Sequence, residues 1–224
     1  KYETPASKYI ELDGMEIHYI DEGDGPAVVL SNASYHTTRA WDGMVKNMTD
    51  RFRVIRFDFP GIGLSGIDAQ GRYSPELYGE AITHLSETLG IEKFHLVGTS
   101  SGGTVAFRYA AAHPAKIDRF VLINSAGMPR TAVTNPNRAR GTAFGRWVSS
   151  NHQSKSWWRA SLSQTITKRP PFDWHVNMNY DMNRRSDRYE TGALFRRNYI
   201  TGEPSTVLDD ITAPTAIFWG IKNP

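Results

Sequence analysis

Phe94-His95-Leu96-Val97-Gly98-Thr99-Ser100-Ser101-Gly102-Gly103 is the stretch on which the fold turns. It opens as a short, mostly apolar run of strand type. From Ser101 the pattern becomes helical, with the small residues Gly103, Ala106 and Ala110 suited to close packing, until Pro114 halts it after His113. Between strand and helix, Gly98-Thr99-Ser100-Ser101-Gly102 fits G-x-S-x-G, a turn that thrusts its serine clear of the backbone. A serine hydroxyl is a weak nucleophile unless it is projected toward a base, and a strained strand-to-helix turn does that. The following helix aims its first amides and its positive dipole end at the same point, so the Ser101 N–H is available to a developing oxyanion.

Working outward, runs of the same strand type recur at Ala27-Val28-Val29-Leu30, Phe52 to Phe57, Arg119 to Ile123 and Thr215 to Trp219. Several are nearly all apolar, the composition of strands covered on both faces. Helical patterns lie between them. Pro75 to Leu89 carries Leu77, Ala81, Ile82, Leu85 and Leu89 on one stripe, starts at Ser74-Pro75 and stops at Gly90. Strands alternating with helices predict an α/β fold, a mostly parallel doubly wound sheet. Ahead of it, Tyr9 to Leu12 and Glu16 to Ile20 alternate around Asp13-Gly14 and predict a half-exposed antiparallel hairpin.

The alternation breaks off from about Met128 to Ser205, where Trp147, Trp157, Trp158 and Trp174 sit among many arginines without a strand-like run. This predicts a helical cap inserted at 128–205 between a first part of the core, 1–127, and a second, 206–224. Such a cap belongs over the strand ends, where open α/β sheets take their ligands. The four tryptophans offer it an aromatic wall, and Arg159 or Arg146 a partner for a substrate carboxylate.

Composition excludes much else. The 224 residues, 39% hydrophobic and 22% charged, suffice for one domain with an insertion. No run approaches the ~18 apolar residues of a membrane helix, so no integral membrane association is expected. The chain has no cysteine, which rules out disulfides and thiolate sites and leaves the compartment open, the cytoplasm ranking slightly ahead of export. Net charge is +3, but 130–205 holds 13 Lys and Arg against 5 Asp and Glu, leaving 13 against 18 elsewhere. With no recognition motif beside it, that surplus reads as a solvated surface rather than a nucleic-acid site. Scattered histidines lack metal-ligand spacing, so no metal is expected.

Together these motifs resemble the α/β-hydrolase superfamily, in its single-domain esterase, lactonase and C–C hydrolase branch. Asp58-Phe59-Pro60-Gly61-Ile62-Gly63-Leu64-Ser65 is similar to the family's D-x-x-G-x-G-x-S turn, which implies scaffolding. Asn32-Ala33-Ser34 stands where the family has its His-Gly-X oxyanion loop, and Trp41 keeps the family spacing. The resemblance implies Ser100 as nucleophile and the backbone amides of Ser34 and Ser101 as oxyanion donors, with no cofactor.

Two family features are missing. The acid turn, Gly-x-x-Asp, reads Gly220-Ile221-Lys222-Asn223, and an asparagine supplies no charge to an imidazolium. Asn124 and Ser125 occupy the alternative acid position. The chain stops at Pro224, before the last strand, the last helix and the family's histidine; His36 is the one other histidine that the motif map places near Ser100. A sheet cut there would bare an apolar edge, so the remainder is expected as further chain, a cleaved piece or a complementing C-terminal segment. The expected activity is hydrolysis of a carboxylic ester, lactone or related small-molecule acyl substrate through an acyl-enzyme. The rival expectation, invited by Asn223, is an impaired homologue serving as a small-ligand-binding module.

Overall fold

The computed structural model describes residues 1–34, 36–127, 153–165, 172–185, 188–199 and 204–221. The chain divides into two compact units, Lys1–Pro129 with Leu194–Pro224, and Arg130–Ala193.

The first unit is built on a seven-stranded sheet. Its strands are β1 (Ser7–Leu12), β2 (Met15–Glu22), β3 (Ala27–Ser31), β4 (Arg53–Phe57), β5 (Phe94–Thr99), β6 (Ile117–Ile123) and β7 (Thr215–Phe218), in the order β1-β2-β4-β3-β5-β6-β7. β1 and β2 form the antiparallel hairpin, with Asp13 and Gly14 at positive φ in its turn, and β2 runs antiparallel to β4. From β4 to β7 every pairing is parallel. Between strands lie a short helix α1 (Asp42–Val45), preceded by a 3-10 turn at Thr38–Trp41, then α2 (Pro75–Thr88) and α3 (Ser101–Ala112).

Period-two alternation sends successive side chains to opposite faces, and both faces of the central strands are covered. Val29, Ile55 and Leu96 join the α2 and α3 residues Leu77, Ile82, Leu85, Val105 and Phe107 in the larger core. Val28, Leu30, Val54 and Val97 pack on Trp41 and Val45 on the other side. Ser74 caps α2 by accepting the Leu77 amide, with Pro75 at its first position. β6 begins two residues before the expected Arg119, because a 3-10 turn at Pro114–Lys116 leads directly into it. β7 differs more: on this edge strand all four residues are exposed, Ile217 at 63% and Phe218 at 60%.

The second unit contains α4 (Lys155–Thr165), α5 (Asp173–Met182) and the start of α6 (Arg188–Asn198). Trp158, Val176, Met178 and Met182 are buried, while Trp157 and Trp174 are exposed. The last turn of α6 belongs to the first unit, where Phe195 stacks on Tyr199 and Tyr78. No helix among the described residues is long and apolar enough to cross a membrane.

Candidate active site

The site grows from the join of β5 and α3. Ser100 has φ 51° and ψ −125°, a conformation that L-residues rarely adopt, which costs about 1–3 kcal/mol and persists only where the surroundings fix it. Here they do. The Ser100 N–H donates to the Ile123 carbonyl (3.2 Å), and the Ser100 carbonyl accepts from the amides of Gly103 (2.9 Å) and Ala126 (2.8 Å). The Thr104 hydroxyl in turn donates to the Ala126 carbonyl, so the loop after β6 braces the turn.

Glycine is required because the backbones approach so closely. A Cβ on Gly98 would stand 2.6 Å from that of Ala106, and one on Gly102 would land on the carbonyl oxygens of Ser31 and Asn32. The first turn of α3 is thereby pressed against the end of β3 and the loop that follows.

That loop carries Asn32, Ala33 and Ser34. Asn32 is fully buried; its amide group donates to the Phe57 carbonyl (2.6 Å), and its side-chain oxygen accepts the Trp41 indole N–H. The Trp41 spacing thus has a local cause: the indole holds the Asn32 side chain, whose amide in turn ties the first loop residue to the end of β4. The Ser34 backbone N–H donates to the Ser101 hydroxyl at 2.5 Å, and the Ser34 hydroxyl lies at the same 2.5 Å from it. Ser34 and Ser101 are therefore brought together, joined through a side chain that sequence reasoning had not used. As the first residue of α3, Ser101 has an amide without an intrahelical acceptor.

Further supports went unread in the sequence. The Tyr199 hydroxyl donates to the Ser101 carbonyl (2.5 Å), and burial pushes that phenol well above the ordinary tyrosine range. Asn124, at φ 43°, accepts the Gly220 amide on its side chain (2.7 Å), which ties the turn after β7 to the end of β6. Asp58, 1% exposed, accepts the amides of Thr38 (2.7 Å) and Leu64 (2.9 Å) and faces His18 Nδ1 at 2.9 Å. His18 Nε2 lies 2.9 Å from the Ser7 hydroxyl. The D-x-x-G-x-G-x-S turn is thus anchored on its own aspartate, and Gly63 at φ 58° leaves the carboxylate its space.

The histidines are variously engaged. His18 is spent on Asp58; His95 lies 3.2 Å from Asp118; His113 packs on Tyr109 and His175 on Trp174. The His36 N–H closes a turn onto the Ala33 carbonyl (3.1 Å). In the second unit, Arg159 pairs with Asp173, so the carboxylate it meets is internal. Asn223, His152, Trp147 and Arg146 lie outside the described residues.

Comparison with known proteins places the chain in a family. Over 122 residues the chain is 29% identical to a 2-hydroxy-6-oxo-6-phenylhexa-2,4-dienoate hydrolase of Comamonas testosteroni, covering 53% of this chain and 43% of that one. Over 145 residues it is 34% identical to a 2-hydroxy-6-oxononadienedioate/2-hydroxy-6-oxononatrienedioate hydrolase of Burkholderia vietnamiensis, covering 60% and 50%. The chain thus spans about half the length of these curated relatives. Among solved structures, a bacterial membrane phospholipase A superposes with a TM-score of 0.79 at 24% identity, over 96% of this chain and 69% of that one, a likeness of fold. The family model described as the alpha/beta hydrolase fold matches residues 26–224, nearly the whole length. With the elbow at Ser100, the parallel sheet beneath it and this match, the chain belongs to the α/β-hydrolase fold family.

Proposed function

We propose that the protein is a serine hydrolase of carboxylic esters, lactones or related acyl bonds. The supporting observation is the backbone of Ser100, held at φ 51° by three hydrogen bonds at the mouth of α3. A protein maintains such strain only where it is over-determined, and function is the usual reason. In this reading Ser100 Oγ attacks the substrate carbonyl carbon and its proton passes to a base. Oxyanion charge then falls on the amides of Ser34 and Ser101, each such donor being worth about 2.7–4 kcal/mol in the transition state. The tetrahedral intermediate expels the leaving group, which takes up the proton, and water releases the acyl group by the reverse sequence.

The base is assigned to none of the described histidines. Residues 128–205 are proposed to select the substrate. The two named relatives are hydrolases of oxo-dienoates, so a ketone with a carbon leaving group belongs in the substrate panel beside simple esters.

Turnover of p-nitrophenyl esters by the protein and by Ser100→Ala tests the reading. A loss of at least about 10³-fold is expected, in keeping with removal of a nucleophile; equal rates would contradict it. Asn223→Asp addresses the rival, a binding module. A rise of orders of magnitude in kcat marks a machine lacking only its acid, whereas an inactive protein that stays inactive favours binding.

A further inference from the structure

The Ser101 hydroxyl occupies the place that the proposed chemistry needs. It accepts the Ser34 backbone N–H at 2.5 Å and lies 2.5 Å from the Ser34 hydroxyl, on the residue whose own amide is the second donor. Ser101 is buried, and its helix cannot draw back, because Gly102 already abuts the carbonyls of Ser31 and Asn32 and Gly98 abuts Ala106. A substrate oxygen therefore has to take the Ser34 amide from a group that fills the same spot.

We propose that the Ser101 hydroxyl is a built-in occupant of the oxyanion site, which rotates off the Ser34 amide when a tetrahedral oxyanion forms. This rests on the reading of Ser100 as an acyl-transfer nucleophile. The exchange favours charge: a neutral carbonyl replaces one neutral hydrogen bond with another of similar strength, whereas an oxyanion forms a bond roughly twice as strong. Displacing the hydroxyl thus costs an ordinary hydrogen bond, which a neutral carbonyl only just offsets and an oxyanion more than offsets. The Ser34 hydroxyl serves as a positioning group that helps hold the occupant in place.

The test is the second-order rate at which an alkyl fluorophosphonate labels Ser100 in the protein, in Ser101→Ala and in Ser34→Ala. Attack by Ser100 Oγ forms the O–P bond and expels fluoride, and the phosphoryl oxygen enters the site. Ser101→Ala is expected to label about tenfold faster and Ser34→Ala about threefold faster, the factors that follow from giving up one or two ordinary hydrogen bonds. In ¹⁵N-resolved spectra the Ser34 amide proton should move upfield in Ser101→Ala. Labelling of the unaltered protein with an unchanged or slower rate in Ser101→Ala, or an unmoved Ser34 resonance, overturns the occupant role and leaves the serine hydrolase standing. Absence of labelling in all three proteins overturns both.

Discussion

Ser100 shows how strain and chemistry divide at a single residue. Its φ of 51° suits a residue without Cβ, so Ser100→Gly should relieve the turn while removing the nucleophile. Glycine's larger unfolded-state entropy offsets part of the gain, and a net stabilisation of up to about 1 kcal/mol is expected from urea midpoints, with hydrolysis abolished. A clear loss of stability would mean that the backbone there is unstrained. Asn32 is the opposite case, a residue whose side chain serves structure. Asn32→Ala orphans the Phe57 carbonyl and the Trp41 indole N–H together. Each unsatisfied buried group costs about 1–3 kcal/mol, so a loss of roughly 3 kcal/mol is predicted, against less than 1 if water replaces the amide.

At the scale of elements, Asp58 fastens three pieces together: β2 through His18, the 3-10 turn through Thr38, and its own glycine-rich turn through Leu64. Asp58→Ala leaves His18 and two amides without their acceptor and should cost about 3–5 kcal/mol, read from thermal or urea unfolding. His113, at the end of α3, gives a pH signature. Partial burial and the neighbouring Lys116 hold its pKa below the ordinary histidine value, so the unfolded chain binds the proton more readily. Stability should therefore fall as pH drops through about 6.5, and less so in His113→Gln; a stability that rises on acidification would contradict the shift. These elements were unequally legible. The stripe of α2, its Ser74-Pro75 start, the Asp13-Gly14 hairpin and the β5–α3 turn were readable because each rests on local rules of period, cap and turn. The Ser7–His18–Asp58 chain, the Tyr199 bond to Ser101 and the Asn124 bond to Gly220 join residues far apart in sequence, with no spacing to betray them. Asn32 and Trp41 stood between these extremes, since their spacing was visible but their bond was not.

For the whole molecule, the parallel order from β4 to β7 was foreseeable, because right-handed crossovers leave few alternatives. β7 stands at the sheet edge with its side chains exposed. Ile217 and Phe218 are more than half exposed and Ile221 wholly so, and an apolar strand edge is a template for pairing. A polypeptide of residues 1–224 should self-associate in sedimentation velocity, and Ile217→Lys should reduce it; a sharp monomer would show that the edge is protected. Which bond is broken is written less plainly, since a G-x-S-x-G turn is compatible with many acyl substrates. If Ser100 is an activated nucleophile, peptide mapping after fluorophosphonate treatment should find it labelled. One adduct is expected, on Ser100, absent from Ser100→Ala and from heat-unfolded protein. An adduct elsewhere, or none on a well-folded protein, would overturn that assignment.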